Sequence, residues 1–121
     1  MIIDIKNHGD MKEKSFLDIG CGVPMIPQVM KDLGCKTAAG VEYNKILAEE
    51  SKTYYPEIEI HHANMLTFSE YDKYDILYAY NPLSNSEMMA QALCYIIENM
   101  NIGATFYFSN FGINPEKLIK S

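Results

Sequence analysis

Two acids and two glycines stand at spacings that suit a small charged ligand. Asp18, Gly20 and Gly22 fall in the run Phe16-Leu17-Asp18-Ile19-Gly20-Cys21-Gly22, and Glu42 follows roughly one strand–helix unit later. An apolar strand that ends in a carboxylate, then a tight glycine loop, then a helix near Pro24, presents bare backbone to a nucleotide-like ligand. The carboxylate narrows the choice. Beside a helix N-terminus Asp18 repels a pyrophosphate, so a dinucleotide fits poorly, whereas a ligand with an ammonium group and no phosphate fits well. Met25 also stands where the last glycine of a dinucleotide GxGxxG loop belongs, which argues against a nicotinamide-dependent oxidoreductase.

These groups need elements to hold them, and the chain alternates short apolar runs with helical periodicity, the mark of an α/β fold. A first strand is predicted over Ser15 to Ile19. A helix follows from Pro24, with Ile26, Val29, Met30 and Leu33 at helical spacing and Gly34 as its stop. A second strand spans Lys36 to Glu42, and Asn44 caps a helix through Tyr54 that has Ser51 near its inner face. The third strand runs from Glu57 to His61. A polar loop, Thr67 to Lys73, leads to a fourth strand over Tyr74 to Tyr80. Ser84-Asn85-Ser86-Glu87 has capping-box spacing and opens the longest helix, with Met89, Leu93, Ile96, Ile97 and Met100 on its apolar side. Ala104 to Ser109 reads as a fifth, interior strand, and Asn114-Pro115-Glu116 reads as the start of a last helix.

The expected architecture is one domain over 1–121, a Rossmann-like three-layer α/β/α arrangement around a mostly parallel sheet of about five strands. Right-handed crossovers bring the carboxyl ends of the first four strands to one rim, where open α/β sheets bind ligands. That rim then carries Asp18, Gly20, Gly22, Glu42, Asn64 and Asn81, a set of acids and amides with no cation.

Composition excludes several functions. The chain has 121 residues, 48% apolar, with a formal charge of −6. All ten basic residues are lysine; without arginine's planar fork, and with a net negative charge, tight autonomous binding of nucleic acid is not expected. Cys21, Cys35 and Cys94 lack CxxC spacing and read as reduced thiols of a cytoplasmic protein, Cys21 as a small buried residue and not a nucleophile. His8, His61 and His62 form no metal-ligand pattern, so no metal is expected. The tyrosines Tyr71, Tyr74, Tyr78 and Tyr80 read as sheet packing. No apolar run is long enough to span a membrane, and the acidic N-terminal segment does not read as a signal peptide.

With these residues in place, the chain resembles the class I S-adenosylmethionine-dependent methyltransferases from Ser15 to Phe111. The likeness lies in Asp18-Ile-Gly20-Cys-Gly22, Val41-Glu42-Tyr43-Asn44, His62-Ala-Asn64-Met65, and Tyr74-Asp75-Ile76-Leu77-Tyr78 through Asn81-Pro82-Leu83. The resemblance implies S-adenosylmethionine as cofactor, held by Asp18, Gly20, Cys21, Gly22, Glu42, Tyr43, Asn64 and Met65. In that reading Asp18 and the Gly20 carbonyl receive the methionyl ammonium, and Glu42 accepts the ribose hydroxyls. Asn64 and the Met65 N–H meet the adenine edge, and Tyr43 packs on its ring. Asn81 and Tyr80 would position the methyl acceptor, a small molecule or a protein. The alternative implied is a non-catalytic cofactor-binding subunit or regulatory domain that needs a partner chain.

Three departures from the family matter. Pro24 replaces the usual third glycine of the loop. The fourth motif, Asn81-Pro82-Leu83-Ser84, keeps the Asn-Pro that resembles enzymes acting on planar amino groups but lacks their stacking aromatic ring. The family sheet has seven strands, and the sequence supplies five. The fifth strand is therefore expected to leave an open edge, covered by the Ile2-Ile3-Asp4-Ile5 segment or, preferably, by a homodimer or larger partner.

Overall fold

The computed structural model describes residues 10–80, 85–109 and 116–120. They form one six-stranded sheet of order β3-β2-β1-β4-β5-β6, with β1 (Ser15–Ile19), β2 (Thr37–Glu42), β3 (Glu59–His62), β4 (Ile76–Tyr80), β5 (Thr105–Ser109) and β6 (Glu116–Ile119). The first five strands are parallel, and β6 runs antiparallel to β5. Three helices connect them: α1 (Met25–Asp32), α2 (Lys45–Tyr54) and α3 (Ser86–Asn99).

Strand alternation splits the core into two layers. Phe16, Ile76 and Tyr78 meet Met30 of α1, while Ala38 and Ile60 meet Ala48 of α2. On the opposite face Leu17, Ile19, Ala39, Val41, Leu77 and Phe106 meet Ala92 and Ile96 of α3. Truncating a fully buried leucine such as Leu17 or Leu77 to alanine would cost about 2–5 kcal/mol.

Local signals set the helix ends. Asn44 Oδ1 accepts the Leu47 N–H at 3.1 Å, and Asn85 Oδ1 accepts the Met88 N–H at 3.1 Å. Ser84 was the expected start of α3 and lies outside the described residues; the cap is Asn85, one residue later, because its amide reaches an N–H that the helix leaves unpaired. Gly34, at φ 104°, ends α1.

Two expectations are corrected. The segment expected as a polar loop before β4 contains a 3-10 turn, Tyr71–Lys73, and feeds the core: Tyr71 is fully buried, Phe68 nearly so, and the Tyr71 hydroxyl donates to the Met65 carbonyl at 2.7 Å. Glu116 opens a strand and not a helix. Its pairing with β5 gives the backbone groups that face β5 a ladder partner, which a short isolated helix cannot match.

The edge of β5 is therefore paired within this chain. Lys120 anchors the arrangement, its Nζ donating to the carbonyls of Glu98 at 3.0 Å and Met100 at 2.8 Å at the end of α3. The Ile2–Ile5 segment proposed for the same edge lies outside the described residues, as do Asn114 and Pro115. Among the described residues, no helix is long and apolar enough to cross a membrane.

Candidate functional site

The carboxyl ends of β1, β2, β3 and β4 share one rim, as parallel pairing requires. After β1 the chain turns sharply at Gly20, φ 73°, and Gly22, φ 54°. The Val41 carbonyl accepts both the Gly20 N–H at 2.9 Å and the Cys21 N–H at 3.0 Å. Gly22 is held on both sides: its N–H donates to Glu42 Oε1 at 2.7 Å, and its carbonyl accepts the Ser51 hydroxyl of α2 at 3.2 Å. Glu42 Oε2 accepts the Asn44 N–H at 2.8 Å. Glu42 thus ties the glycine loop to the start of α2, while each carboxylate oxygen keeps a second lone pair for a ligand hydroxyl.

Asp18, next to last in β1, is only 6% exposed. Its carboxylate accepts no hydrogen bond from the described residues. Burial first, and the nearby Glu42 charge second, push its carboxyl from 3.8 up to about 8. A buried carboxylate without donors is stabilised strongly by an incoming cation, so the site favours an ammonium and disfavours an anion. Cys21 packs over Gly40, the register partner of Asp18 on β2; its thiol is pushed up to about 12 by burial, then by Asp18 and Glu42, and so stays protonated.

Beside the loop lies a cleft of about 440 Å³, lined by Gly20, Val41, Glu42, Tyr43, Asn44, Ala63, Asn64, Met65, Leu66 and Met88. Its size lies in the range of small-ligand pockets. Tyr43 stands exposed at its mouth, and its carbonyl lies 3.0 Å from the His62 ring nitrogen Nε2. Asn64 acts partly as a turn residue: its Oδ1 accepts the Leu66 N–H at 2.9 Å, leaving its amide hydrogens for a ligand. The Met65 N–H bonds to none of the described residues, and its side chain is in the core.

Of the residues singled out in the sequence, Gly20, Glu42, Tyr43, Asn64 and Met65 therefore line one cleft. Asp18, Cys21 and Gly22 lie in or next to the glycine loop and do not line the cleft. Tyr80 is half exposed at the end of β4, in register with Ser109, and does not line the cleft. Asn81 lies outside the described residues. Sequence reasoning missed Met88, Leu66 and the second role of Asn44. Met88 falls in the first turn of a helix whose apolar period marks only the core side, and Asn44 was legible only as a cap. His61, partly buried, meets the Tyr74 hydroxyl at 3.0 Å and does not line the cleft.

The sequence matches no family model and no curated protein. Its fold is nonetheless similar to solved structures. A sugar N-methyltransferase from a Streptoalloteichus species superposes with TM-score 0.70 at 17% identity, covering 83% of this chain and 42% of that one. An amino pentose methyltransferase from Micromonospora echinaspora, solved with S-adenosylmethionine bound, gives TM-score 0.69 at 17% identity, covering 82% and 44%. An S-adenosylmethionine-dependent methyltransferase from Mesorhizobium loti gives 0.69 at 18%, covering 81% and 47%. The chain spans less than half the length of each of these three. The order of its strands, its glycine loop and these likenesses together give this chain the fold of the class I S-adenosylmethionine-dependent methyltransferases.

Proposed function

We propose that this chain binds S-adenosylmethionine and directs its methyl group to an amino acceptor, a small molecule or a protein side chain, in the cytoplasm. The observation that carries the reading is Asp18: a carboxylate more than nine-tenths buried, without a hydrogen-bond donor among the described residues, at the strand end beside a glycine loop. An ammonium group answers that demand, and a phosphate does not.

The other residues fit the same ligand. Glu42 is held in place by two backbone N–H groups and still has lone pairs for a ribose diol. Tyr43 and Met88 line the cleft and offer apolar surface to a planar base, and the Asn64 amide and the Met65 N–H offer donors to its edge. When bound, S-adenosylmethionine supplies a methyl group on a positively charged sulfur, open to in-line displacement. The chain's part is to hold both reactants in line and to exclude water. Tyr80 and Asn81, at and just past the end of β4, are assigned to the acceptor. An acid-rich rim favours an amine over an anionic acceptor, and the similar structures include a sugar N-methyltransferase and an amino pentose methyltransferase.

Calorimetry with S-adenosylmethionine and with NAD tests the ligand. Saturable binding of the first alone is expected, and binding of NAD alone would refute the reading. Radiolabelled methyl transfer into cell extract, with wild type and Asn81→Ala, then tests the activity. Labelled product lost in the variant is expected. Tight cofactor binding with no transfer in any extract would instead mark a binding subunit.

A further inference from the structure

Asp18 has two register neighbours on its own face of the sheet, Gly40 on β2 and Tyr78 on β4. Gly40 offers no side chain, and the space above it is filled by Cys21. Tyr78 is the only one of the two that can present a functional group. It is 8% exposed, packs against Phe16 with ring centroids 6.3 Å apart, and its hydroxyl bonds to none of the described residues. Among those residues no fully enclosed side-chain oxygen lacks a partner. The unbonded Asp18 and Tyr78 oxygens therefore keep an opening to solvent.

We infer that Tyr78 is the hydrogen-bond donor for the carboxylate of an α-amino acid group whose ammonium rests on Asp18. The inference rests on the cofactor reading above, in which that group is the methionyl end of S-adenosylmethionine. In an α-amino acid the carboxylate carbon is two bonds from the nitrogen. An ammonium seated on Asp18 thus brings its carboxylate within about one strand spacing, about 4.8 Å, of the same site. Burying that carboxylate without a donor would cost several kcal/mol. The chain has no arginine to receive it, and the backbone N–H groups of Gly20, Cys21 and Gly22 are already engaged. A phenol supplies the donor without adding charge. Burial, then Asp18, then Tyr80 hold the Tyr78 hydroxyl above its ordinary range, so it stays protonated and able to donate.

The test compares S-adenosylmethionine with its decarboxylated analogue by calorimetry on wild type and Tyr78→Phe. The substitution keeps the ring that packs on Phe16 and removes only the donor. Expected is a loss of about tenfold or more in affinity for S-adenosylmethionine, with affinity for the decarboxylated analogue changed less than about twofold. Equal losses for both ligands, or no loss for either, would overturn the inference. If the variant does not fold, wild type decides: tighter binding of the parent compound supports the role of a carboxylate donor, and equal or tighter binding of the analogue overturns it. Wild type binding neither ligand would fell the cofactor reading itself, a result distinct from the others.

Discussion

The backbone N–H of Gly22 donates to Glu42 Oε1 at 2.7 Å, joining the loop after β1 to the acid that ends β2. The two residues lie on different strands, and their bond means that the acid supports the loop before any ligand arrives. Glu42→Ala removes acceptors from the N–H groups of both Gly22 and Asn44. It is expected to lower folding stability and cofactor affinity together, each by about 1–3 kcal/mol. Urea denaturation and calorimetry on one preparation check this; lost affinity with unchanged stability would mean that the strap contributes nothing to the loop.

Asp18 makes stability and binding depend on pH in opposite directions. Its carboxyl sits at about 8 in the folded chain against 3.8 as the ordinary value. Between those values the native state holds a proton that the unfolded state releases, so this group's contribution to stability falls as pH rises through that window. Asp18→Asn cannot titrate. Its stability advantage over wild type should grow from about pH 5 to about pH 8 and then level off, a rise of about 4 kcal/mol. Cofactor affinity of wild type should rise over the same range, because the ionised carboxylate is the form that pairs with an ammonium. Thermal melts and calorimetry across that range check both slopes.

Gly40 is needed for the space it leaves. A Cβ there would lie 2.6 Å from the Cys21 sulfur and 3.0 Å from its Cβ. Gly40→Ala must therefore displace the glycine loop, with an expected cost of about 1–3 kcal/mol and weaker cofactor binding. Adding Cys21→Ala removes the sulfur contact and should restore part of the loss. A double-mutant cycle by denaturation measures the coupling, and strict additivity would contradict the packing described.

Lys120 closes the far side of the sheet. Lys120→Met removes the donor to the Glu98 and Met100 carbonyls and is expected to cost about 1–2 kcal/mol. Hydrogen exchange should quicken at the end of α3 and along the β5–β6 pair, and stay unchanged at the glycine loop.

Much of the fold was legible locally. β1 matched its predicted bounds, and β2 and α2 lay within a residue, because apolar alternation, the Asn44 cap and Pro56 all report short-range preferences. The start of α3 was one residue off, since Ser84 and Asn85 are both good caps and only the geometry of the turn chooses between them. The segment before β4 was misread because Phe68 and Tyr71 stand among polar residues with no regular period. Their burial comes from α3 and the sheet, distant in sequence. The C-terminal strand was misread for a related reason: Asn-Pro-Glu is a helix-start signal, while the unpaired edge of β5 that outweighs it lies elsewhere in the chain.

The order of amino acids by itself determined the α/β alternation and the rim of strand ends along which Asp18, Glu42 and Asn64 fall. Those follow from side-chain period and chain connectivity, which are local properties. Only the tertiary structure decided that Glu42 is tied to Gly22 and Asn44, that Asp18 is buried next to Tyr78 with no donor, and that β6 covers β5. Strand partners and the loss of water around a carboxylate are sums over residues far apart in the chain, and no window of sequence contains them.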